Sequence, residues 1–317
     1  MGSEALLPVI VFSDELKAGT PEWDSVRARV QLAFQECGGF EALFNKIPSE
    51  LRKSMLGEIE KMFELPLQTK SKIVSANEPL GTVYTARSTK APWESMDVED
   101  VLIPEKLSSF INLLWPEGNP SFGKTVQFFS EKLSEMDQMI RRMVLESFGV
   151  EKYCDEHIDS SLHTFRVMKY EGPKTMDNKL MLFSHTDKNL LSILYQINQV
   201  GGLEVQSKDG KWVNMKSSSS SVDSFIVMAG DSFHAWTNGR VKALPHRVVM
   251  TGNETRYSVG LFSSSKEGYI IKAPDELVDE EHPLRFKPYE FSEYQKFFKT
   301  EEGRKIHEYG VKVFCGV

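Results

Sequence analysis

The chain has few cysteines, and its net charge is negative. The three cysteines, Cys37, Cys154 and Cys315, are spread widely over 317 residues. This odd, scattered set excludes a disulfide-stapled scaffold and indicates a reducing compartment. Lysine and arginine number 38 against 45 aspartates and glutamates, which gives a formal net charge of −7 at pH 7. Because nucleic-acid binding needs a basic face, this balance argues against a nucleic-acid partner.

Long apolar runs are also missing. No stretch approaches the roughly 20 apolar residues that a membrane-spanning helix requires. The N-terminus lacks the basic region and apolar core of a signal peptide, and Leu6 stands where an N-myristoylation motif needs serine or threonine. The sequence therefore predicts a cytoplasmic protein with no membrane partner, and we expect a monomer.

The residues that are present follow two successive patterns. The content of 40% hydrophobic and 26% charged residues is that of an ordinary globular protein. Up to Gly149 apolar residues recur at helical spacing, with helix starts at Thr20-Pro21 and Ser49 and a long helix predicted over 122–148. Beyond Gly149 the period changes to two, in short strands separated by turns. The second pattern indicates a jelly-roll barrel.

Three segments lie outside these patterns. Residues 76–104 are polar and irregular, and residues 217–221 are five consecutive serines, for which we expect a hairpin loop without chemistry. The tail over 288–312 begins with a proline turn and is rich in aromatic residues. We expect this tail to form a helix packed on the barrel.

The motif with the clearest chemistry is His185-x-Asp187, followed much later by His246. On a strand, a spacing of two places His185 and Asp187 on one face. The long gap before His246 fits several strands, so we expect this third residue on a later strand across the barrel. Two imidazoles and one carboxylate form a facial triad that leaves coordination positions open and suits non-haem Fe(II).

A second motif, Arg256-x-Ser258, makes the first more specific. H-x-D alone occurs often by chance, whereas H-x-D, a distant histidine and R-x-S ten positions further on form a rare combination. With this combination the chain resembles the plant Fe(II)/2-oxoglutarate-dependent dioxygenases, over essentially its whole length. Residues 19–27, 115–120 and 276–283 resemble the AOP-type clade of that family, the glucosinolate side-chain-modifying dioxygenases.

The chain departs from the family pattern at three places. Val11 stands where the family usually has aspartate, and residues 45–47 replace a short Asn-His-Gly. Met168 stands where the family usually has asparagine, which removes one polar contact near the iron-bound end of the cosubstrate.

The resemblance implies a role for each motif residue. His185, Asp187 and His246 are expected to bind Fe(II), with O2 as a further substrate and ascorbate as reductant. The distal carboxylate of 2-oxoglutarate is expected to bind Arg256, which offers two parallel hydrogen bonds where a lysine cannot. Ser258 lies on the same strand face as Arg256 and is expected to add a third donor.

Further site residues follow from the same resemblance. Tyr170 matches a family tyrosine that also reaches the distal carboxylate. Residues 76–104 are expected to lie over the mouth of the active site. The candidate substrate-binding residues are Phe262, Phe183, Arg166, Trp236 and Tyr84.

The expected fold class is α+β. Its centre is a double-stranded β-helix, a jelly-roll or cupin-like barrel, flanked by N-terminal and C-terminal helices. Residues 1–120 are expected to form an N-terminal dioxygenase region of short strands, helices and the active-site cover loop. A long supporting helix and linker follow over 121–160, the catalytic core over 161–270 and a C-terminal helical tail over 271–317.

The expected function is Fe(II)- and 2-oxoglutarate-dependent oxidation of a small molecule, with release of succinate and CO2. The apolar residues around the barrel imply an apolar or aromatic plant metabolite or hormone as substrate. Hydroxylation is the default outcome, while desaturation, ring closure and O-demethylation use the same oxidation. Two other possibilities stay open at this stage: a barrel that binds small molecules without catalysis, and an oxygenase that acts on a protein side chain.

Overall fold

A computed structural model describes residues 7–73, 84–86, 93–173, 179–215 and 223–317, without the side chains of 84–86. The serine run over 217–221 lies outside these ranges. The strands are β1 (Val9–Phe12), β2 (Gly39–Phe44), β3 (Tyr84–Ala86), β4 (Trp93–Val98), β5 (Ser161–Tyr170), β6 (Lys179–His185), β7 (Leu191–Gln196), β8 (Leu203–Gln206), β9 (Trp212–Asn214), β10 (Ser224–Ala229), β11 (His246–Met250), β12 (Arg256–Ser265), β13 (Ile270–Ile271) and β14 (Tyr289–Glu290).

These strands form a large and a small sheet. The large sheet has eight strands in the order β1-β2-β10-β7-β12-β5-β4-β3, and the small sheet has four in the order β6-β11-β8-β9. Neighbouring strands run antiparallel except β1 and β2, which are parallel. The jelly roll predicted from the period-two pattern is thereby confirmed, with the remaining strands β13 and β14 paired separately.

The N-terminal region contributes directly to the large sheet. Strand β2 pairs with β10, and β4 pairs with β5 along its whole length. The prediction that 76–104 is irregular is therefore wrong for 84–86 and 93–98, which form β3 and β4. Strand β4 is hard to recognise in the sequence because only two of its apolar side chains, Met96 and Val98, are buried in the core. Its other residues are polar or partly exposed. The division of the chain into four regions stays a prediction.

The helices surround the sheets, and their starts follow capping rules. Thr20 accepts a hydrogen bond from the Trp23 backbone at 3.2 Å, with Pro21 in the first turn, as the sequence predicts. The helices are α1 (Pro21–Glu36), α2 (Ser49–Glu64), α3 (Leu67–Lys70), α4 (Pro104–Leu114), α5 (Pro120–Ser147), α6 (Cys154–Asp159), α7 (Asp231–Trp236), α8 (Phe291–Phe297) and α9 (Gly310–Cys315). None of the described helices has the length and apolar character needed to cross a bilayer.

The long helix α5 is the main support of the large sheet. Its apolar side chains, which recur at three and four residues, are fully buried. Within this apolar face Asp137 pairs with Arg141 at 2.5 Å and accepts a hydrogen bond from Ser263 of β12 at 2.6 Å. Burial opposes ionisation of Asp137, yet Arg141 and its hydrogen-bond donors outweigh burial and lower its pKa. A buried charge that is paired and hydrogen-bonded in this way fixes the helix against the sheet.

The tail differs from its prediction as a single helix. It forms two short helices, α8 and α9, joined by residues 298–309, which contain a short 3-10 helix at Gly303–Lys305. Tyr309 adopts a left-handed backbone conformation (φ 50°), which interrupts the helical path just before α9. At Gly310 an added Cβ would lie 2.5 Å from the ring of Phe298, so only glycine permits this approach.

Candidate active site

His185 and His246 are direct neighbours in the small sheet. His185 ends β6, His246 begins β11, and the two residues are paired across the strands with ring centroids 4.2 Å apart. The expectation that His246 comes from across the barrel is therefore wrong, because β6 and β11 are adjacent. Each Nδ1 faces a backbone carbonyl two residues earlier, that of Phe183 at 2.8 Å and that of Leu244 at 3.1 Å. With Nδ1–H donating to these carbonyls, both Nε2 atoms are left free as ligands.

Asp187 completes the cluster from a loop and not from a strand. Strand β6 ends at His185, so the predicted shared strand face does not exist; the chain turns between the two residues instead. The Asp187 Oδ1 lies 3.7 Å from Nε2 of His185 and 3.8 Å from Nε2 of His246. Ser192 donates a hydrogen bond to the other oxygen, Oδ2, at 2.5 Å. This bond aims Oδ1 at the histidines, and the three ligand atoms lie within 4.8 Å of one another.

The protonation states of His185 and Asp187 suit a divalent metal. Burial and the neighbouring His246 lower the pKa of His185 to about 3, so its imidazole is neutral at physiological pH. Burial opposes ionisation of Asp187, but His246, His185 and the Ser192 hydrogen bond outweigh burial and lower the Asp187 pKa. Neutral imidazoles and an ionised carboxylate are the forms that bind metal, so the residues fit the Fe(II) site expected from the sequence.

Arg256 lies deep in the barrel beside the second motif residue. It begins β12, and its Nη1 donates to Ser258 Oγ at 2.9 Å, which confirms that both side chains share a strand face. Its guanidinium carbon lies 5.3 Å from the ring centroid of Tyr170, the residue paired with it on β5. The side chain is 3% exposed, and burial lowers its pKa.

No carboxylate within the described part of the chain pairs with Arg256, and its buried Nε has no hydrogen-bond partner. A buried cation is normally paired, because an unpaired charge in an apolar interior is costly. The environment of Arg256 therefore fits an anionic group of a bound molecule.

A cavity of about 840 Å³ opens beside the cluster. Tyr170 lines this cavity, while Arg256, whose guanidinium lies over the Tyr170 ring, lines a second cavity of about 30 Å³. The size of the large cavity suits a drug-sized small molecule. Its lining from the barrel includes His185, Asp187, Trp93, Met168, Leu182 and Phe262.

Three of the five candidate substrate residues line this cavity: Phe262, Arg166 and Phe183. The guanidinium of Arg166 lies 4.9 Å from the ring centroid of Phe262 and forms a two-point ion pair with Asp97, at 2.7 and 2.6 Å. Phe183 is 62% exposed and belongs to the outer part of the lining.

Of the other two candidates, one is a core residue and the side chain of the other is not described. Trp236 is 2% exposed and packs on His157 with ring centroids 4.6 Å apart, so it belongs to the core and not to the cavity. The prediction for Trp236 is therefore wrong, because α7 turns this side chain into the core. Tyr84 lies on β3 opposite Met96, and its side chain is outside the described part of the structure.

Sequence reasoning missed Ser192 and Asp97. Ser192 donates a hydrogen bond to Asp187 across a turn, and Asp97 pairs with Arg166, which is distant in the sequence. Neither residue belongs to a recognisable motif. The alternation of β7 and β4 could have indicated which face each residue occupies, but not its partner.

Comparison with known proteins identifies the family. Residues 155–265 match the model of the 2OG-Fe(II) oxygenase superfamily, and residues 7–107 match that of the non-haem dioxygenase in morphine synthesis N-terminal region. The chain is 48% identical to an Arabidopsis thaliana protein described as probable 2-oxoglutarate-dependent dioxygenase AOP1.2, over 94% of this chain and 92% of the relative. It is 32% identical to an Arabidopsis thaliana relative described as probable inactive 2-oxoglutarate-dependent dioxygenase AOP2, over 100% of this chain and 99% of the relative.

A solved structure agrees at the level of the fold. The dioxygenase for auxin oxidation from rice superposes with a TM-score of 0.81 at 24% identity, covering 98% of this chain and all of that chain. The sequence relatives decide the family, and the shared jelly roll accords with them. The chain therefore belongs to the AOP-type plant dioxygenases, enzymes that use Fe(II) and 2-oxoglutarate to oxidise their substrates with O2.

Proposed function

We propose that this enzyme hydroxylates an apolar or aromatic plant small molecule, a specialised metabolite or hormone. In the overall reaction, substrate R–H, 2-oxoglutarate and O2 give R–OH, succinate and CO2. The observation that carries the proposal is that His185 and Asp187, which form a cluster with His246, line a cavity of about 840 Å³. That volume suits a small molecule better than a protein side chain on a folded partner.

In this proposal His185, Asp187 and His246 hold the metal. Fe(II) bound there supplies the activation of O2, with 2-oxoglutarate as the electron source. The Ser192 hydroxyl restrains one oxygen of Asp187 and so orients the other toward the histidines. The carbonyls of Phe183 and Leu244 fix the tautomer of each imidazole.

Arg256, Ser258 and Tyr170 hold the distal carboxylate of 2-oxoglutarate. The support for this assignment is the buried guanidinium of Arg256, which lacks a carboxylate partner in the described part of the chain. Ser258 lies within hydrogen-bond distance of that guanidinium, and Tyr170 stacks against it. Met168, which stands where the family usually has asparagine, accepts a weak hydrogen bond from the Tyr170 hydroxyl at 3.6 Å. The hydroxyl of Tyr170 therefore has a partner two residues earlier on the same strand.

The test is an incubation of purified enzyme with Fe(II), ascorbate, 2-oxoglutarate and a plant metabolite extract. Succinate should form in a manner that needs Fe(II), and untargeted mass spectrometry should show one compound lost and a product heavier by one oxygen atom. A product lighter by two hydrogens indicates desaturation or ring closure, and loss of CH2 indicates O-demethylation. If the protein forms no succinate under any of these conditions, the proposed catalysis is contradicted. The remaining alternative is a barrel that binds small molecules without catalysis. Cytoplasmic location, monomeric state and the role of ascorbate stay predictions.

A first prediction concerns Phe262, which we propose as a substrate contact. Its ring is part of the cavity wall and is only partly buried. Phe262→Ala should change the KM or kcat for the substrate severalfold, while the midpoint of thermal unfolding shifts little. The matched control is Leu261→Ala on the same strand, because Leu261 is 1% exposed and points into the core.

The control should behave in the opposite way. Truncating a buried leucine costs about 2–5 kcal/mol of stability, so Leu261→Ala should unfold earlier with normal kinetics per folded molecule. If Phe262→Ala shows that same pattern, Phe262 is a core residue and the assignment is wrong.

A further inference from the structure

The loop over 186–190 carries Asp187 but belongs to no sheet. Strand β6 ends at His185, and β7 begins at Leu191. The backbone N–H and C=O groups of a buried loop need partners from outside it, because unpaired polar groups in the interior are costly. The partners of this loop come from two separate parts of the chain, α7 and the C-terminal tail.

The start of α7 holds one side of the loop. Four consecutive carbonyls, those of residues 187–190, each accept a hydrogen bond from residues 230–232. These bonds are Asp231 N to Asp187 at 2.7 Å, Ser232 Oγ to Lys188 at 2.6 Å, Ser232 N to Asn189 at 3.1 Å and Gly230 N to Leu190 at 3.0 Å. A Cβ added at Gly230 would lie 2.2 Å from the carbonyl oxygen of Asn189, so only glycine permits this approach. The start of α7 therefore fixes the loop from Asp187 onward.

The C-terminal tail holds the turn at Thr186. The Thr186 backbone N–H donates to the His307 carbonyl at 3.1 Å, and the Tyr309 backbone N–H donates to Thr186 Oγ1 at 2.8 Å. Thr186 is 3% exposed, so these polar groups depend on each other and not on bulk water. The tail therefore grips the chain at the single residue between the first two proposed metal ligands.

Tyr309 contributes to this grip through both its backbone and its ring. Its backbone is left-handed (φ 50°), a conformation that a residue other than glycine keeps only where its surroundings hold it. Its ring hydroxyl donates to the Ala243 carbonyl at 3.1 Å, three residues before His246. One tail residue thus contacts both chain segments that carry proposed ligands, the turn at Thr186 and the segment before β11.

The tail is also anchored on the start of α7. The Tyr294 hydroxyl donates to Asp231 Oδ2 at 2.5 Å, and the Tyr289 hydroxyl donates to Ser232 Oγ at 3.1 Å. Both tyrosines are buried. Because Asp231 and Ser232 in turn bond to the loop carbonyls, the tail supports the loop from both sides.

We propose that Thr186 is a positioning residue for the proposed metal ligand Asp187, and that the tail sets the metal affinity of the site through it. The bond from Tyr309 fixes the turn, so that Asp187 Oδ1 stays within 3.8 Å of both histidine Nε2 atoms. Without the Thr186 hydroxyl, Asp187 has to be ordered when the metal binds, and this ordering lowers the affinity. The inference rests on the proposed function, because it takes the same three residues as ligands.

The experiment is a titration of the metal-free protein with Co(II), followed by visible absorption. Co(II) accepts the nitrogen and oxygen ligands that Fe(II) accepts, and its absorption depends on the ligands around it. The readout is therefore binding and not activity. The wild type gives the spectrum with the carboxylate bound, and Asp187→Ala gives the spectrum without it.

Three substitutions at Thr186 are compared. Thr186→Val removes the hydroxyl at nearly equal volume, Thr186→Ala removes it and leaves room for a water molecule, and Thr186→Ser keeps it. Losing a residue that orients a metal ligand costs about 10–100-fold in metal affinity. The Kd for Co(II) should rise by this factor in Thr186→Val and Thr186→Ala, with spectra closer to that of Asp187→Ala. In Thr186→Ser the Kd should stay within a few fold of wild type.

Thr237→Val is the matched control for a bond that is only structural. Thr237 is 0% exposed, and its Oγ1 also accepts a hydrogen bond from a backbone N–H, that of Val241 at 3.1 Å. Neither residue belongs to the loop or the tail. Thr237→Val should lower the midpoint of thermal unfolding of the metal-free protein and leave the Kd for Co(II) unchanged.

The outcomes separate this inference from the proposed function. If Thr186→Val and Thr186→Ala unfold earlier but bind Co(II) as the wild type does, Thr186 is structural and the inference is overturned. An equal loss of affinity in Thr186→Ser also overturns it, because the hydroxyl is then not what matters. If circular dichroism shows that Thr186→Val does not fold, Thr186→Ala decides alone. If Asp187→Ala binds Co(II) as tightly as the wild type, the proposed metal site fails first, whatever the behaviour of Thr186.

Discussion

Replacing Asp187 with alanine is expected to abolish turnover of 2-oxoglutarate and to remove most Fe(II) binding. Asp187 is the only carboxylate of the cluster, and its Oδ1 lies within 3.8 Å of both Nε2 atoms. Without it a divalent cation faces two neutral imidazoles and no compensating charge. Losing a residue that merely orients a metal ligand costs about 10–100-fold in metal affinity or activity, so losing the anionic ligand should cost more.

Iron content after gel filtration and succinate formation measure the effect. Ser192→Ala tests for an intermediate effect, because it removes the hydrogen bond to Asp187 Oδ2 and leaves the Asp187 carboxylate in place. It should show a partial loss, within the 10–100-fold range. Asp209→Ala is the control, since among the described residues Asp209 pairs with Lys211 and Ser207, both at the surface. Full iron occupancy and normal turnover in Asp187→Ala would defeat the assignment of this ligand.

The second large effect is expected from Arg256→Ala, which should raise the apparent KM for 2-oxoglutarate by a hundredfold to a few thousandfold. Removing one partner of a buried ion pair costs about 3–5 kcal/mol, because the other charge is left unpaired. At about 1.4 kcal/mol per factor of ten, this gives the range stated. Fe(II) binding should be unchanged, because Arg256 contacts Ser258 and Tyr170 and none of the three proposed metal ligands.

A binding measurement separates this role from a structural one. In wild type, 2-oxoglutarate should raise the unfolding temperature according to its concentration relative to Kd. Arg256→Ala should lose that shift, whereas its unfolding temperature without 2-oxoglutarate should change little, since an unpaired buried cation contributes little stability. In Arg256→Ala, shorter or uncharged 2-oxo acids should bind better relative to 2-oxoglutarate than they do in the wild type.

Two variants calibrate the Arg256 result. Ser258→Ala removes one charge-assisted hydrogen bond, worth about 1.5–3 kcal/mol, and should show a smaller loss in the same direction. Arg247→Ala should leave the KM unchanged, because Arg247 pairs with Glu204 and stacks on Trp212. Saturation of Arg256→Ala at the wild-type concentration of 2-oxoglutarate would show that another residue binds this carboxylate.

The sequence alone determined the family, the barrel and the residue types of the site. Strand alternation beyond Gly149, the long α5 and the cap at Thr20 all depend on neighbours within a few residues, so local pattern suffices to predict them. Arg256 and Ser258 share a face because two strand positions always do. The proposed metal ligands could be selected from the sequence for the same reason, because their residue types and order follow from the motifs.

The tertiary structure decided which side chains meet. The pairing of His185 with His246 depends on the register of β6 and β11, and the place of Asp187 depends on where β6 stops. The ion pair of Arg166 with Asp97 depends on the pairing of β4 with β5. Alternation gives two strand faces but not the one that points inward, and register between distant strands is set by packing of the whole core.

The same limit explains the residues that sequence reasoning misjudged or overlooked. Trp236 is a case in point, because α7 buries its side chain in the core and away from the cavity. Only the folded chain shows that Arg256 has no carboxylate partner among the described residues, because charge pairing is a property of distance in space. The sequence therefore determined the reaction class, and the tertiary structure determined which side chains meet around the cavity.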